Sequence, residues 1–391
     1  MERISDSEFK ERILRVKSIM RRKELDLLIV YSNQVDPGNV RYLADYWPIF
    51  EQTFVVLPLE GEPILLAGAE CSSYARKTSR ISDVRLIQDV MIPGEEYPGA
   101  EITTWDEIFS GIKGESRISR VGIAGLDVLG GFPTHAYRNL KRALKGKEIV
   151  KADDVMIEVR SIKSEAELRM IRRAYELADK GLDAAISAVK EGVTERQIEA
   201  EAEYAIMSAG GEDHPVPWPC QLIASGPNTG LALNRPSNRK IRKGEHVLLT
   251  VGALYEGYNS AVARPLFVGT PSEEYKRVIK VVERTMKAVI NAIKPGASSE
   301  IDKAGRKILE ETGYVKYNPY GLAHSIGLVE AEPPFFGPEA KEEVKPNMVI
   351  SVDVALFGLK FGGLRYEDGF IVKEDGIEPL SKYTRELLES I

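Results

Sequence analysis

The chain has 391 residues, 43% of them hydrophobic, which suffices for a large core and makes two domains the expectation. Its net charge of -6, with Lys and Arg interleaved among Asp and Glu, excludes a general nucleic-acid binder, because neutralising phosphates takes clustered cations. No apolar run is long enough to span a bilayer, and Met1-Glu-Arg-Ile-Ser-Asp-Ser-Glu8 has no apolar leader, so a soluble, cytoplasmic protein without a membrane partner is expected.

The N-terminal part alternates short apolar runs with helical patterns, as a sheet covered by helices does. Phe9, Ile13, Val16, Ile19 and Met20 recur at helical spacing, which predicts a helix over 6–22 capped by Ser5 or Asp6. Leu27-Leu-Ile-Val-Tyr31, Thr53-Phe-Val-Val-Leu57 and Pro63-Ile-Leu-Leu-Ala67 read as strands, the last two joined by a Glu-Gly-Glu turn. Cys71 and Cys220 are the two cysteines; they exclude a disulfide framework and read as buried thiols in a reducing compartment. Abundant charge and scarce glutamine fit a heat-adapted organism.

The pattern changes around 152–163. Residues 153–160 predict a short linker helix, and Ser164 with Glu167 forms a capping box for the long helix that follows. The boundary is therefore placed near residue 155, giving domains 1–154 and 155–391. Further helices are predicted over 194–209, 272–293 and 299–311, and strands over 221–224, 247–251, 262–268, 349–357 and 368–373.

Six segments carry a family resemblance. They are Ile162-Lys-Ser-Glu-Ala-Glu-Leu-Arg-Met-Ile-Arg-Arg-Ala174, Gly226-Pro-Asn-Thr-Gly-Leu-Ala-Leu-Asn-Arg-Pro236, the run His246 to Arg264, Ala323-His-Ser-Ile-Gly-Leu-Val-Glu-Ala-Glu-Pro-Pro334, Ile350-Ser-Val-Asp-Val-Ala-Leu356 and Gly363-Leu-Arg-Tyr-Glu-Asp368. The chain resembles the pita-bread enzymes: prolidase, aminopeptidase P, methionine aminopeptidase and creatinase. That resemblance implies an α/β creatinase-like N-terminal domain and an α+β pita-bread C-terminal domain. It also implies a homodimer in which one N-terminal domain reaches towards the partner's cleft.

By the same resemblance, His324 and Glu367 correspond to metal ligands and Asp353 replaces a metal-binding glutamate. Two further ligand positions, aspartates in the metallopeptidases, fall on Thr250 and Ala261, which offer no anionic oxygen to a divalent ion. Two such ions side by side repel, and bridging carboxylates must offset that repulsion. No dinuclear centre is expected, and the expected cofactor is none; a single ion on His324, Asp353 and Glu367 is a workable but weakened set. The loop histidine that handles a proton in the family corresponds to Leu233, a second histidine to Ala331 and creatinase's substrate-binding glutamate to Ala263.

The candidate catalytic residues are thus His324, Glu332 and Glu367, and the candidate substrate-binding residues Asp353, His214, Tyr258, Arg264 and Arg365. Each has a plainer reading. His324 reads also as a hydrogen-bonded core residue, Glu332 as a partner of Arg365 or of backbone amides, and Glu367 with Arg365 as a structural ion pair. Asp353 is harder to dismiss, since an unpaired acid in an apolar strand is costly. In Glu212-Asp-His-Pro-Val-Pro-Trp-Pro-Cys220, His214 reads as a proton carrier and Trp218 as a stacking wall, or the segment as a rigid proline loop. Tyr255, Tyr258 and Tyr366 read as cleft wall or as strand packing.

Three functions remain open. The first is a metal-independent hydrolase of a C–N bond in a small cationic, amino-acid-like substrate, as creatinase does on this fold. The second is a protein that binds a peptide or small ligand without catalysis, and the third a metal-dependent Xaa-Pro dipeptidase.

Overall fold

The computed structural model describes residues 3–213 and 221–389, so His214, Trp218 and Cys220 lie outside the described residues. The chain divides at residues 160 and 161 into two compact units, with residues 3–160 in the first. Among the described residues no helix is long and apolar enough to cross a membrane.

The first unit is built on a seven-stranded sheet. Its strands are β1 (Leu27–Ser32), β2 (Thr53–Pro58), β3 (Ile64–Ala67), β4 (Asp83–Ile87), β5 (Ile102–Thr103), β6 (Arg120–Ala124) and β7 (Glu148–Lys151), in the order β5-β4-β3-β2-β1-β6-β7. β1 and β2 pair antiparallel and so do β2 and β3, while β1, β6 and β7 run parallel, as do β3, β4 and β5. Every residue of β1, β2 and β3 is buried, as a sheet covered on both faces requires.

The first unit's helices are α1 (Asp6–Arg22), α2 (Gly38–Ala44), α3 (Ser72–Thr78), α4 (Trp105–Ser110), α5 (Thr134–Ala143) and α6 (Asp153–Ser161). Ser5 caps α1 by accepting from the Glu8 amide, and Phe9, Val16, Ile19 and Met20 form its buried stripe. Cys71 is buried with its thiol on the Ile49 carbonyl. The boundary drawn ahead of α6 from sequence is corrected, because α6 stays with the first unit: Arg160 donates to Asn39 and the Tyr42 hydroxyl to the Val159 carbonyl.

The second unit carries α7 (Glu165–Ala188), α8 (Glu195–Ser208), α9 (Glu273–Ala292), α10 (Ser299–Glu311) and α11 (Lys382–Glu389). Its strands are β8 (Gln221–Ser225), β9 (His246–Tyr255), β10 (Tyr258–Phe267), β11 (Gly296–Ala297), β12 (Ala323–Ser325), β13 (Glu332–Phe335), β14 (Glu343–Val344), β15 (Val349–Leu359), β16 (Gly362–Lys373) and β17 (Gly376–Pro379). The main sheet is antiparallel, in the order β13-β12-β15-β16-β10-β9-β8 with β17 added to β16, and β11 pairs with β14 apart from it. A core of this unit joins Val282, Met286, Val289 and Ile290 of α9 to Val352, Val354 and Leu356 of β15 and Leu364, Phe370 and Val372 of β16.

The Ser164–Glu167 capping box forms as the sequence predicts. Glu167 does more than cap: its other oxygen accepts the Tyr258 hydroxyl at 2.9 Å, tying the start of α7 to β10.

Candidate active site

One face of the second sheet assembles the candidate residues. Strand register aligns Thr250 with Ala263, Ala263 with Glu367 and Glu367 with Asp353, one row across four strands. Side chains alternate faces along a strand, so Arg365, two residues before Glu367, and Ser351, two before Asp353, share that face. His324 joins it because β12 pairs it with Ser351.

Donor atoms of His324, Asp353 and Glu367 all lie within 4.8 Å of one another. Arg365 binds the acids directly. Its Nε donates to Asp353 Oδ1 at 3.0 Å and its NH2 to Oδ2 at 2.6 Å, while NH2 also stands 3.2 Å from Glu367 Oε2. This is the bidentate fork that suits a planar guanidinium to a carboxylate. The Ser351 hydroxyl donates to Glu367 Oε1 at 3.0 Å. The His324 ring sets Nδ1 on the Ser325 carbonyl at 2.9 Å, which turns Nε2 towards Glu367 Oε1 at 3.7 Å and Glu330 Oε1 at 3.8 Å.

Burial and charge work against each other here. Burial pushes the Glu367 carboxyl up, but Arg365, His324 and Ser351 outweigh it and bring the group down to about 2. Burial likewise depresses the His324 imidazolium, and Glu367, Glu330 and the Ser325 carbonyl raise it to about 9. At neutral pH the ring is therefore a proton donor. For Asp353 burial prevails over Arg365, and for Glu330 over His324, so both carboxyls are raised.

Residues 169–374 match Metallopeptidase family M24, and residues 12–162 match the Creatinase/Prolidase N-terminal domain. The chain belongs to metallopeptidase family M24. It is 30% identical over 380 residues to the Xaa-Pro dipeptidase of Pyrococcus furiosus, covering 97% of this chain and 100% of that protein. The Xaa-Pro dipeptidase of Pyrococcus horikoshii is 29% identical over 379 residues, covering 97% and 99% respectively. The crystal structure of the prolidase from Pyrococcus horikoshii OT3 aligns with a TM-score of 0.80 at 28% identity, over 95% of this chain and 98% of that one.

The residues present fit the paired metal ions of an M24 enzyme poorly. Thr250 and Ala261 carry no carboxylate, and the buried Thr250 hydroxyl has no hydrogen-bond partner among the described residues. Glu332, which the sequence offers as catalytic, is committed elsewhere: it is 3% exposed and takes Lys163 Nζ at 3.1 Å and the Val329 amide at 3.3 Å. A cationic group of the chain, Arg365, already sits on the carboxylates that a single ion would need.

Of the remaining M24 candidates, His324, Asp353, Glu367 and Arg365 are brought together and three others are not. Glu332 pairs with Lys163 and accepts the Val329 amide, and β13 sets it opposite Ser325, the neighbour of His324. Arg264 is corrected from substrate binding to structure, since its NH2 bridges both oxygens of the fully buried Asp368 at 2.9 and 3.0 Å. Tyr258 is corrected likewise: it is 1% exposed and its hydroxyl is spent on Glu167. Tyr366 points to Glu283 at 3.2 Å, and Leu233 is an exposed loop residue.

Sequence reasoning missed Glu330, Ser351 and Lys163. Glu330 carries a local signal, an acid in the same motif loop as His324. Lys163 carries none, because its partner is 169 residues away.

Proposed function

We propose that this M24 chain is a prolidase-like hydrolase of a C–N bond in a small amino-acid-like or dipeptide-like substrate, working without a dinuclear metal centre. The observation that carries the reading is Arg365, whose guanidinium is forked onto Asp353 and reaches Glu367. The charge that ions supply elsewhere in the family is supplied here by the chain itself. His324 Nε2, protonated at neutral pH, donates a proton to the nitrogen as the C–N bond breaks, and Glu330 across the ring is the carboxylate placed to take the proton of the water that bonds to the carbon. The Pyrococcus relatives named Xaa-Pro dipeptidase support the dipeptide-like substrate class.

A second reading, binding without turnover, is favoured by one observation: Asp353, Glu367, Glu332 and Asp368 each already have a cationic partner. One experiment separates the readings. The protein is equilibrated with manganese, cobalt, zinc and iron, dialysed, analysed for bound metal and assayed on Xaa-Pro dipeptides and guanidino acids. Turnover at sub-stoichiometric metal that disappears in His324→Ala supports the hydrolase. Binding of the same compounds without turnover leaves the second reading, and two tightly held ions per chain with metal-stimulated Xaa-Pro cleavage overturn both.

A further inference from the structure

The first unit leaves a length of sheet edge unpaired beside a groove. β5 pairs with only the end of β4, Leu86 opposite Ile102 and Ile87 opposite Thr103. The Thr103 hydroxyl donates to the Leu86 carbonyl at 2.7 Å, so that carbonyl points towards β5. Main-chain direction repeats every second residue, which turns the N–H and C=O of Val84 to the same side. No described residue bonds them there. The chain ahead of β5 would cover Val84 if it ran straight, but a turn closed by the Ala100 amide on the Tyr97 carbonyl at 3.0 Å, with Pro98 and Gly99 at its centre, carries it away.

What is left is a cavity of about 630 Å³ bounded by Val84, Leu86 and Thr103 on the strand side and by Glu70, Glu96 and Glu101 on the loop side. Arg76 and Arg85 also line it, but Arg85 is forked onto Asp83 at 3.0 and 2.7 Å. Among the described residues, three acids therefore face one cation, Arg76, that has no acidic partner. Glu96 and Glu101 have no side-chain partner among the described residues, and both are exposed.

We propose that this groove receives an extended basic peptide segment, which adds a strand along Val84 and places alternate Lys or Arg side chains on Glu70, Glu96 and Glu101. Main-chain hydrogen bonds to an open edge supply affinity, and the acids select the sequence. The segment lies wholly on the first unit and is independent of the hydrolase reading.

The test uses the full chain and a fluorescent peptide of alternating lysine and valine, followed by anisotropy and by hydrogen exchange. Saturable binding with slowed exchange of the Val84 amide is expected. N-methylation of every second peptide amide, or the charge reversals Glu96→Lys and Glu101→Lys together, should each weaken binding about tenfold or more. Both glutamates are exposed, so an unchanged melting temperature verifies folding and hydrolysis should be unaffected. Absence of binding, or binding indifferent to N-methylation or to charge reversal, overturns the proposal. Protection of Val84 that appears without peptide as protein concentration rises also overturns it, assigning the edge to a second copy.

Discussion

Replacing Arg365 by methionine removes the guanidinium shared by Asp353 and Glu367 and leaves the two acids with the His324 ring as their remaining cationic neighbour. Like charges brought together attract a cation or take up a proton. The Arg365→Met protein is therefore expected to bind manganese or zinc more tightly than the wild type in titration calorimetry; equal affinity would show that Arg365 is not the site's counter-ion. Lys163 poses the complementary case. Lys163→Met takes the lysine from the buried Glu332, which should cost about 3 kcal/mol or more in denaturant unfolding. Adding Glu332→Leu should recover most of that loss, since the penalty lies in a buried charge that has lost its counter-ion and not in the missing attraction.

At the scale of elements, α7 is fastened to the sheet by an ion pair whose acid strength can be read. The carboxyl of Glu378 on β17 is brought down to about 2 from 4.5, first by its hydrogen bonds from Arg172 of α7 and then by Lys373. A lowered native value adds stability that is complete above pH 4.5 and is lost as pH falls towards 2. Melting curves of wild type and Glu378→Gln should differ by a constant amount near neutrality and converge in that acid window; a gap that persists at the acid end would contradict the assignment.

The elements themselves were legible because their signals are local. The stripe Phe9–Val16–Met20 and the Ser164–Glu167 box lie within a few helical turns, and both appear as expected. The site was half legible. His324, Asp353, Arg365 and Glu367 follow from the resemblance of their segments to family motifs and converge, whereas the partners of Glu332, Arg264 and Tyr258 lie 169, 104 and 91 residues away in sequence. Long-range partners are chosen by strand register, which spacing alone does not reveal.

Taken whole, the chain holds two units with separate cores, one around Leu27, Phe54, Trp105 and Val121 and the other around Met286, Ile350 and Phe370. Calorimetry is expected to show more heat absorbed than a single van't Hoff transition accounts for, because two cores need not melt as one; a calorimetric-to-van't Hoff ratio of one would reject that. The homodimer implied by the family resemblance is checked by sedimentation, where a monomer at micromolar concentration would dismiss it.

Glu167 gives the second unit an order of assembly. Its contact with Ser164 closes as soon as the first turn of α7 forms, while its contact with Tyr258 must wait for a stretch of 91 residues to come back. Helix ends form in microseconds, and long-range strand contacts arrive later. The early cap therefore holds a carboxylate in place for a hydroxyl that has yet to arrive, so a change at this residue should slow folding as well as weaken the product.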